Sequence, residues 1–277
     1  MSLSLDDNAA FLGWTNSSQH HVTRLQNGQC SQELDTIAQE VPVVLVYNGV
    51  SHVVMLATPT NLEDFALGFS LTEGIIAHAT EFLSAKVYQR ANGIEVQVKI
   101  PAERFLCLAQ KGRNLTGRTG CGLCGSTTLK QAIREPKPVS CPIQISAAQL
   151  TAALAQLPGL QTLNQLTGAI HAAAWVEPDK GIVYVREDVG RHNALDKLLG
   201  LLARTAKEPH CGFVLVTSRA SYEMLQKTAM FGIGILVAIS APTALAIRLA
   251  EQAGVTLIGF ARSDKYVIYS HPQRLIF

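Results

Sequence analysis

No apolar run in this sequence is long enough to cross a membrane as a helix. The longest candidate, GIGILVAISA at 232–241, is interrupted by glycines and followed by Pro242. The first residues, MSLSLDDNAAFLGW, lack the charged start and the apolar centre of a secretion signal. We therefore predict a cytoplasmic protein that does not associate with membranes.

Charged residues are also few, at 16% of the 277 residues, and the formal net charge is only +2. Because 48% of the residues are hydrophobic, the composition is typical of a well-packed globular chain and excludes general disorder. The small net charge gives no general attraction for nucleic acid, so any electrostatic argument has to be local. The six cysteines do not form a disulfide framework, and we expect them to be reduced.

Acidic residues are absent between Arg104 and Arg134, although this stretch contains several basic residues. Cys121 and Cys124 lie within it, in the glycine-rich run GRTGCGLCGSTTL. Positive neighbours stabilise a thiolate, so we expect both thiols to have lowered pKa values and to be nucleophilic near neutral pH. The glycines predict a mobile, accessible loop. Such thiols suit a transfer reaction.

Two other uses of a C-x-x-C motif fit less well. A zinc site needs further ligands, and there is no second C-x-x-C, while Cys107, Cys141 and His171 are isolated in the sequence. A zinc deaminase needs His-x-Glu before Pro-Cys-x-x-Cys, but the nearest counterpart, TGAIHAA at 167–173, comes later and has no Glu. A thioredoxin-like disulfide starts a helix after a strand, and here a glycine-rich loop precedes the motif. We predict no bound metal, with a zinc-dependent, deaminase-like nucleotide hydrolase as an alternative.

The two halves of the chain have different patterns. In the first half, Asn48-Gly49 and Asn92-Gly93 are hairpin signals, and between them a helix with Asn61 as its cap is predicted, which gives an antiparallel sheet carrying one helix. From about residue 160, short apolar strands alternate with amphipathic helices, which indicates a largely parallel sheet covered on both faces. We expect a polar, partly flexible segment at 1–40, an α+β part at 41–140 that ends in the cysteine loop, and an α/β cofactor-binding domain at 141–277.

Polar loops follow the predicted strands of the second half. In an open α/β sheet, ligands bind at the carboxyl ends of the strands, where helix N-termini attract phosphate groups. Four hydroxyl residues lie in these loops: Ser218, Ser221, Ser240 and Thr243. Any one of them is better explained as a helix cap, but the four together predict a phosphate-bearing ligand. Asp188, Arg191 and His192 surround the start of another helix, and His192 is interpreted either as a ligand contact or as a structural strut. His171 is interpreted as a structural histidine.

Six motifs occur together in one order: GCGLCG, TGAIHAAA, EDVGRHNALDK, TSRASYEM, SAPTALA and GFAR. From about residue 40 onward the chain closely resembles the FdhD family, the sulfur-carrier accessory proteins of formate dehydrogenase. The resemblance implies a cytidine-deaminase-like, three-layer α/β domain with a mixed or parallel sheet, plus a smaller N-terminal α+β part with antiparallel hairpins. It also implies a sulfurtransferase that accepts persulfide sulfur from a cysteine desulfurase. The recipient is the molybdenum bis(molybdopterin guanine dinucleotide) cofactor, before it enters formate dehydrogenase.

The resemblance also assigns residues. It implies that the C-x-x-C loop carries the persulfide. We assign the persulfide to Cys121, the first cysteine and the one nearer Arg118, with Cys124 as a resolving or assisting thiol, although electrostatics alone leaves this choice open. The guanine-dinucleotide end of the cofactor, or an analogue such as GDP or GMP, is expected to contact Phe260, Ala261, Arg262, Ser263, Asp264 and Lys265. In this run Phe260 is expected to stack on guanine, Asp264 to accept from its N–H groups, and the two basic residues to meet phosphates. A homodimer is possible from the sequence. A non-catalytic chaperone that only binds the cofactor is a further alternative for the function.

Overall fold

The computed structural model describes residues 13–112, 136, 138–263 and 265–277. Within these ranges the chain forms an N-terminal hairpin, a four-stranded sheet with helices, and a six-stranded sheet with helices on both faces. The mixed α/β architecture expected from the sequence is confirmed. The division of the chain at residues 40 and 140 stays a prediction.

The N-terminal hairpin pairs β1 (Ser17–Gln26) with β2 (Gln29–Ala38), ten residues in each strand. Its turn is Asn27-Gly28, with positive φ angles of 52° and 79°, as a two-residue turn requires. The sequence analysis did not predict this hairpin, although Asn-Gly is the same signal that marks the other turns. Most of its side chains are exposed, so it has no buried face that would produce a hydrophobic alternation.

The four-stranded sheet has the order β4-β3-β6-β5 and comprises β3 (Val41–Tyr47), β4 (Val50–Ala57), β5 (Ser84–Arg90) and β6 (Gly93–Lys99). The hairpin at Asn48-Gly49 is confirmed, with φ angles of 46° and 88°. The second hairpin is present, but its loop is 91–92, and Gly93 begins β6. The prediction of a wholly antiparallel sheet is wrong at the centre, where β3 and β6 are parallel. The reason is that a helix carries the chain across between the two hairpins.

Gly93 is required by the contact between strands. Its φ is 146°, and a Cβ built there would lie 2.4 Å from the carbonyl oxygen of Pro42 on β3. A side chain at this position would therefore separate the central pair of strands.

Two helices complete this part: α1 (Leu62–Thr72), as predicted, and α2 (Ala102–Gly112). Asn61 lies at the N-cap of α1, but its φ is 51° and its side chain makes no capping bond. Phe65 of α1 and Leu108 of α2 pack with the inner residues of the central strands in one buried cluster.

The six-stranded sheet has the order β13-β12-β11-β10-β8-β9 and comprises β8 (His171–Glu177), β9 (Gly181–Asp188), β10 (Phe213–Val216), β11 (Ile235–Ala238), β12 (Thr256–Arg262) and β13 (Lys265–Ser270). The three central strands β10, β11 and β12 are parallel. Their neighbours β8 and β13 run antiparallel to them, so the sheet is mixed. A short parallel pair lies beside it, formed by β7 (Ile145–Ser146) and β14 (Leu275–Ile276).

Helices cover both faces of this sheet. The covering helices are α3 (Ala147–Leu160), α5 (Arg191–Arg204), α6 (Tyr222–Met230) and α7 (Ala244–Ala253), whereas the short α4 (Thr162–Thr167) buries no residue and lies beside β9, where Glu187 accepts from its first amides. Side chains of α5, α6 and α7 share one buried cluster with Val214, whereas α3 shares another with Leu215. Because successive residues of a strand point to opposite faces, these clusters lie on opposite sides of the sheet and make three layers.

The two sheets are joined by a close crossing of α1 and α5. Each helix carries the pattern Asp-x-x-x-Gly, DFALG at 64–68 and DKLLG at 196–200. A Cβ on Gly68 would lie 1.8 Å from the carbonyl oxygen of Asp196, and one on Gly200 would lie 1.8 Å from that of Asp64. The helices therefore meet backbone against backbone, with no room for a methyl group.

Candidate functional site at the carboxyl edge of the parallel strands

The loops that follow β10, β11 and β12 meet at one edge of the sheet. The amide of Thr217 donates to the carbonyl of Ala172 over 3.1 Å, and the amide of Phe260 donates to that of Ser240 over 3.1 Å. An isolated bridge joins Ala220 to Pro242. The sequence prediction that these loops converge is therefore confirmed. We call this region, residues 171, 188–193, 217–223, 239–243, 259–263 and 265, the strand-end site.

Asp188 is the buried anchor of the strand-end site. Its side chain is 0% exposed, and Oδ2 lies 2.6 Å from the Lys197 ammonium and accepts from the amide of Thr58 over 3.0 Å. The other oxygen accepts from the amide of Gly190 at 2.8 Å and from the Asn193 side chain at 3.0 Å. All of its acceptor directions are thus used, so Asp188 fixes the turn that precedes α5 and is not a free acid or base.

Lys197 is equally buried and neutralises this carboxylate. Its ammonium also donates to the carbonyl of Thr58 at 2.9 Å. Burial lowers the pKa of Lys197, and the charge of Asp188 opposes that shift. The sequence analysis missed this pair and its link to Thr58, because nothing in the spacing of 58, 188 and 197 indicates contact.

Arg191 and His192 begin α5, directly after the turn that Asp188 holds. His192 Nε2 lies 2.9 Å from Glu223 Oε2, in the first turn of α6, and the two side chains are 12% and 15% exposed. This contact joins the N-termini of α5 and α6. Arg191 Nε is buried and has no hydrogen-bond partner among the described residues.

His171 starts β8 beside the same turn. Its Nδ1 lies 3.5 Å from the hydroxyl of Thr217, at the limit of a hydrogen bond. Burial lowers the pKa of His171, and the positive charges of Arg191 and His192 lower it further, while Asp188 acts in the opposite direction. Three basic side chains are therefore close together at this edge.

The hydroxyls predicted at the edge have different roles. Thr243 caps α7, since its Oγ1 accepts from the amide of Ala246 at 3.3 Å. Ser218 is buried and donates to the carbonyl of Arg219 at 3.0 Å. Ser221 occupies the N-cap position of α6, but it makes no capping bond, and its hydroxyl is buried without a partner in the part of the chain that the structure describes.

Residues 260–262 end β12 and Lys265 begins β13, and Arg262 pairs with Lys265 in this hairpin. Phe260 has a left-handed φ of 52°, which is strained for a bulky residue, and the residue is 47% exposed. Arg262, Ser263 and Lys265 are also exposed. Ala261, by contrast, is 0% exposed in the core, so its side chain is not available to a ligand.

Several predicted features fall outside the described residues. Cys121, Cys124 and Asp264 are among these, so their predicted roles stay predictions. Of the other candidate zinc ligands, Cys107 is an exposed free thiol and Cys141 a buried one. Within the described ranges no three His, Cys, Asp or Glu side chains are grouped so that they could hold a metal ion. No helix in the same ranges is long and apolar enough to cross a membrane.

A cavity of about 700 Å³ lies between the C-terminal ends of α1 and α5. Its lining includes Leu71, Leu202, Lys207, Met230 and Phe231. None of the sequence-predicted site residues that the structure describes lines it, so it is separate from the strand-end site.

Comparison with known proteins shows the family to which this mixed α/β protein, with its basic strand-end site, belongs. The family model described as FdhD/NarQ family matches residues 38–276. This chain belongs to the FdhD/NarQ family. The resemblance inferred from the six motifs is therefore confirmed.

Similar curated proteins carry the name sulfur carrier protein FdhD. That of Cupriavidus necator is 55% identical over 254 residues, which cover 92% of this chain and 88% of the relative. That of Bordetella bronchiseptica is 48% identical, with 95% of this chain and 96% of the relative covered. A crystal structure assigned to a formate dehydrogenase accessory protein from Desulfotalea psychrophila has the same fold, with a TM-score of 0.76 at 21% identity. It covers 95% of this chain and 100% of its own.

Proposed function

We propose that this chain is a cytoplasmic sulfur carrier that is required for the activity of a formate dehydrogenase. The observation that carries the proposal is that the family match is continuous from residue 38 to 276, so it includes both the acid-free C-x-x-C segment and the strand-end site. The names of the relatives, at 48–55% identity, support the same role. In this proposal the six-stranded domain has a cytidine-deaminase-like fold.

The first step of the proposed reaction is thiolate exchange with a cysteine desulfurase. The Cys121 thiolate attacks the terminal sulfur of the donor persulfide, so a new S–S bond forms on Cys121 as the donor bond breaks. The donor leaves as a thiolate, and no net oxidation occurs. The basic residues around Cys121 favour this step, because they stabilise the attacking thiolate.

Release of the sulfur is the role proposed for Cys124. Its thiolate attacks the inner sulfur of the persulfide, which forms a Cys121–Cys124 disulfide and expels sulfide toward the molybdenum cofactor. The two electrons carried by the sulfide come from the two thiols, and a cellular thiol reductant restores them. The cofactor's guanine-dinucleotide end is held at 260–265, where the exposed ring of Phe260 offers a stacking surface.

Restoration of formate dehydrogenase in a bacterium that lacks its own carrier tests this proposal. The wild-type chain is expected to restore the activity, and Cys121→Ala to abolish it. Cys107→Ala is the matched control, since this thiol is exposed on α2 and has no proposed role. Full activity from a chain that lacks both Cys121 and Cys124 would contradict sulfur transfer and leave a cofactor-binding chaperone.

Binding of the cargo is tested with GDP as its analogue. We expect GDP to shift the backbone amide signals of 260–265 in an NMR titration, and Phe260→Ala to weaken binding roughly tenfold, through lost stacking. A titration that leaves this segment unchanged would remove its assignment. Gel filtration with light scattering, on the same samples, decides whether the chain is the homodimer that we include in the proposal.

A further inference from the structure

Two helix N-termini point into the strand-end site from neighbouring elements. α5 has 14 residues and α6 has 9, and the contact of 2.9 Å between His192 and Glu223 holds their first turns together. The free N–H groups and the positive dipole end of a helix favour an anion at its N-terminus. Here two such ends lie side by side.

Two polar atoms of this site have no hydrogen-bond partner in the part of the chain that the structure describes. Arg191 Nε, at the start of α5, and Ser221 Oγ, at the start of α6, are both buried without a hydrogen bond among the described residues. An unsatisfied buried donor is costly, and the large majority of such groups in proteins are paired. The contrast with Thr243 is direct, because that hydroxyl at the equivalent place on α7 caps its helix. Ser221 is thus available to a ligand.

The charges that face this point are mostly positive. Arg191, His192 and His171 supply the basic groups, and their mutual influence is seen in the lowered pKa of His171. Glu223 is the acidic partner of His192, and Asp188 is already paired with Lys197 at 2.6 Å. The local balance therefore favours an anion.

The turn that carries Arg191 is also rigid. Asp188 accepts from both the amide of Gly190 and the side chain of Asn193, so the start of α5 is fixed on either side of Arg191. A Cβ on Gly190 would lie 2.8 Å from the Asn193 side chain, which shows how tightly this turn is closed. A preorganised donor loses little conformational entropy when a ligand binds.

We infer that Arg191 Nε and Ser221 Oγ, at the joined N-termini of α5 and α6, bind a phosphate group of the carried nucleotide. The inference rests on the proposed function and deepens it. It places the phosphates of the cargo at the buried donors of Arg191 and Ser221 rather than at the exposed side chains of Arg262 and Lys265. A phosphate group has several oxygens that can accept from these donors, and the helix N-termini supply further N–H groups.

The test uses inorganic pyrophosphate, GDP and guanosine as probes of the full-length protein. Calorimetric titration is expected to show that Arg191→Gln weakens pyrophosphate and GDP roughly tenfold or more, and Ser221→Ala by a smaller factor. Arg248→Gln is the matched control, since it removes one exposed positive charge from α7, outside the strand-end site, and is expected to change affinity far less.

NMR of the His171 ring gives a second readout in the same samples. A bound anion favours the charged imidazole, so pyrophosphate and GDP are expected to raise the lowered pKa of His171, whereas guanosine is expected to leave it unchanged. Circular dichroism confirms that each variant is folded.

Unchanged GDP affinity in both variants, with no change in the pKa of His171, would overturn the inference. So would an equal loss of affinity in Arg248→Gln, because it would show non-specific attraction. Either result leaves the sulfur-carrier proposal intact, since that proposal is tested by Cys121. Loss of sulfur transfer with normal GDP binding would contradict the sulfur-carrier proposal and leave the inferred phosphate contacts intact.

Discussion

Two regions of the molecule bury polar groups, and they differ in whether each buried polar side chain has an ion-pair or hydrogen-bond partner among the described residues. At the crossing of α1 and α5, Asp64 contacts Arg186 and Arg204 at 2.8 Å each, and Asp196 contacts Lys227 at 2.9 Å. At the strand-end site, Arg191 Nε and Ser221 Oγ have no partner within the described ranges. The comparison indicates that the polar groups at the crossing stabilise the fold, whereas the unpaired donors at the strand-end site are available to a ligand.

The ion pairs at the crossing also connect the two sheets. Asp64 and Thr72 belong to α1, while their partners Arg186, Asp196 and Lys227 belong to the six-stranded domain. Burial lowers the pKa of Lys227, but Asp196 and Glu73 outweigh it, so the net shift is upward and the ammonium stays charged. The position of the strand-end site relative to the first sheet is therefore fixed by buried charges as well as by apolar packing.

The largest expected effect is at the glycine contact. Gly200→Ala is predicted to lower the free energy of unfolding by more than about 4 kcal/mol or to prevent folding, because its Cβ would overlap the backbone of α1. Gly159→Ala is the matched control at an exposed position of α3, where no atom of the described residues lies within 4 Å of the new Cβ. There we expect a change within about 1 kcal/mol. Equal effects in urea unfolding would mean that the crossing is not tightly packed.

A buried ion pair gives the next largest effect. Lys197→Met leaves the fully buried Asp188 without its cation and is expected to cost about 3 to 4 kcal/mol. Lys180→Met removes a cation that is 65% exposed and is expected to cost less than about 1 kcal/mol. Chemical denaturation of both variants makes the comparison. If the two losses were similar, the Asp188 pair would not be the anchor described above.

The smallest effect separates a capping hydroxyl from a free one. Thr243→Ala removes a helix cap and is expected to cost about 1 kcal/mol of unfolding free energy. Ser221→Ala removes a hydroxyl that caps nothing and is expected to change stability by no more than about 0.5 kcal/mol. A large loss of stability in Ser221→Ala would show that this hydroxyl has a structural partner.

Local signals predicted much of this fold. The Asn48-Gly49 turn and the helix at 191–204 follow directly from residues that are adjacent in the sequence. The parallel pairing of β3 with β6 and the edge strand β13 were missed, because pairing between distant strands depends on the packing of the whole domain.

The strand-end site was likewise predictable in its location but not in its side-chain contacts. The convergence of the strand-end loops follows from the general geometry of parallel sheets. The partners that decide each role were not predictable: Glu223 for His192 and Lys197 for Asp188 become neighbours only through the packing of α5 on α6 and on the sheet. The free hydroxyl of Ser221 and the capping hydroxyl of Thr243 look alike in sequence.

The most direct test of the sulfur-carrier proposal is mass spectrometry of the chain after incubation with a cysteine desulfurase and cysteine. A gain of one sulfur atom, mapped to the peptide that contains Cys121 and removed by a thiol reductant, is the predicted result. A chain that gains no sulfur, or gains it equally on Cys30 and Cys107, would contradict the proposal.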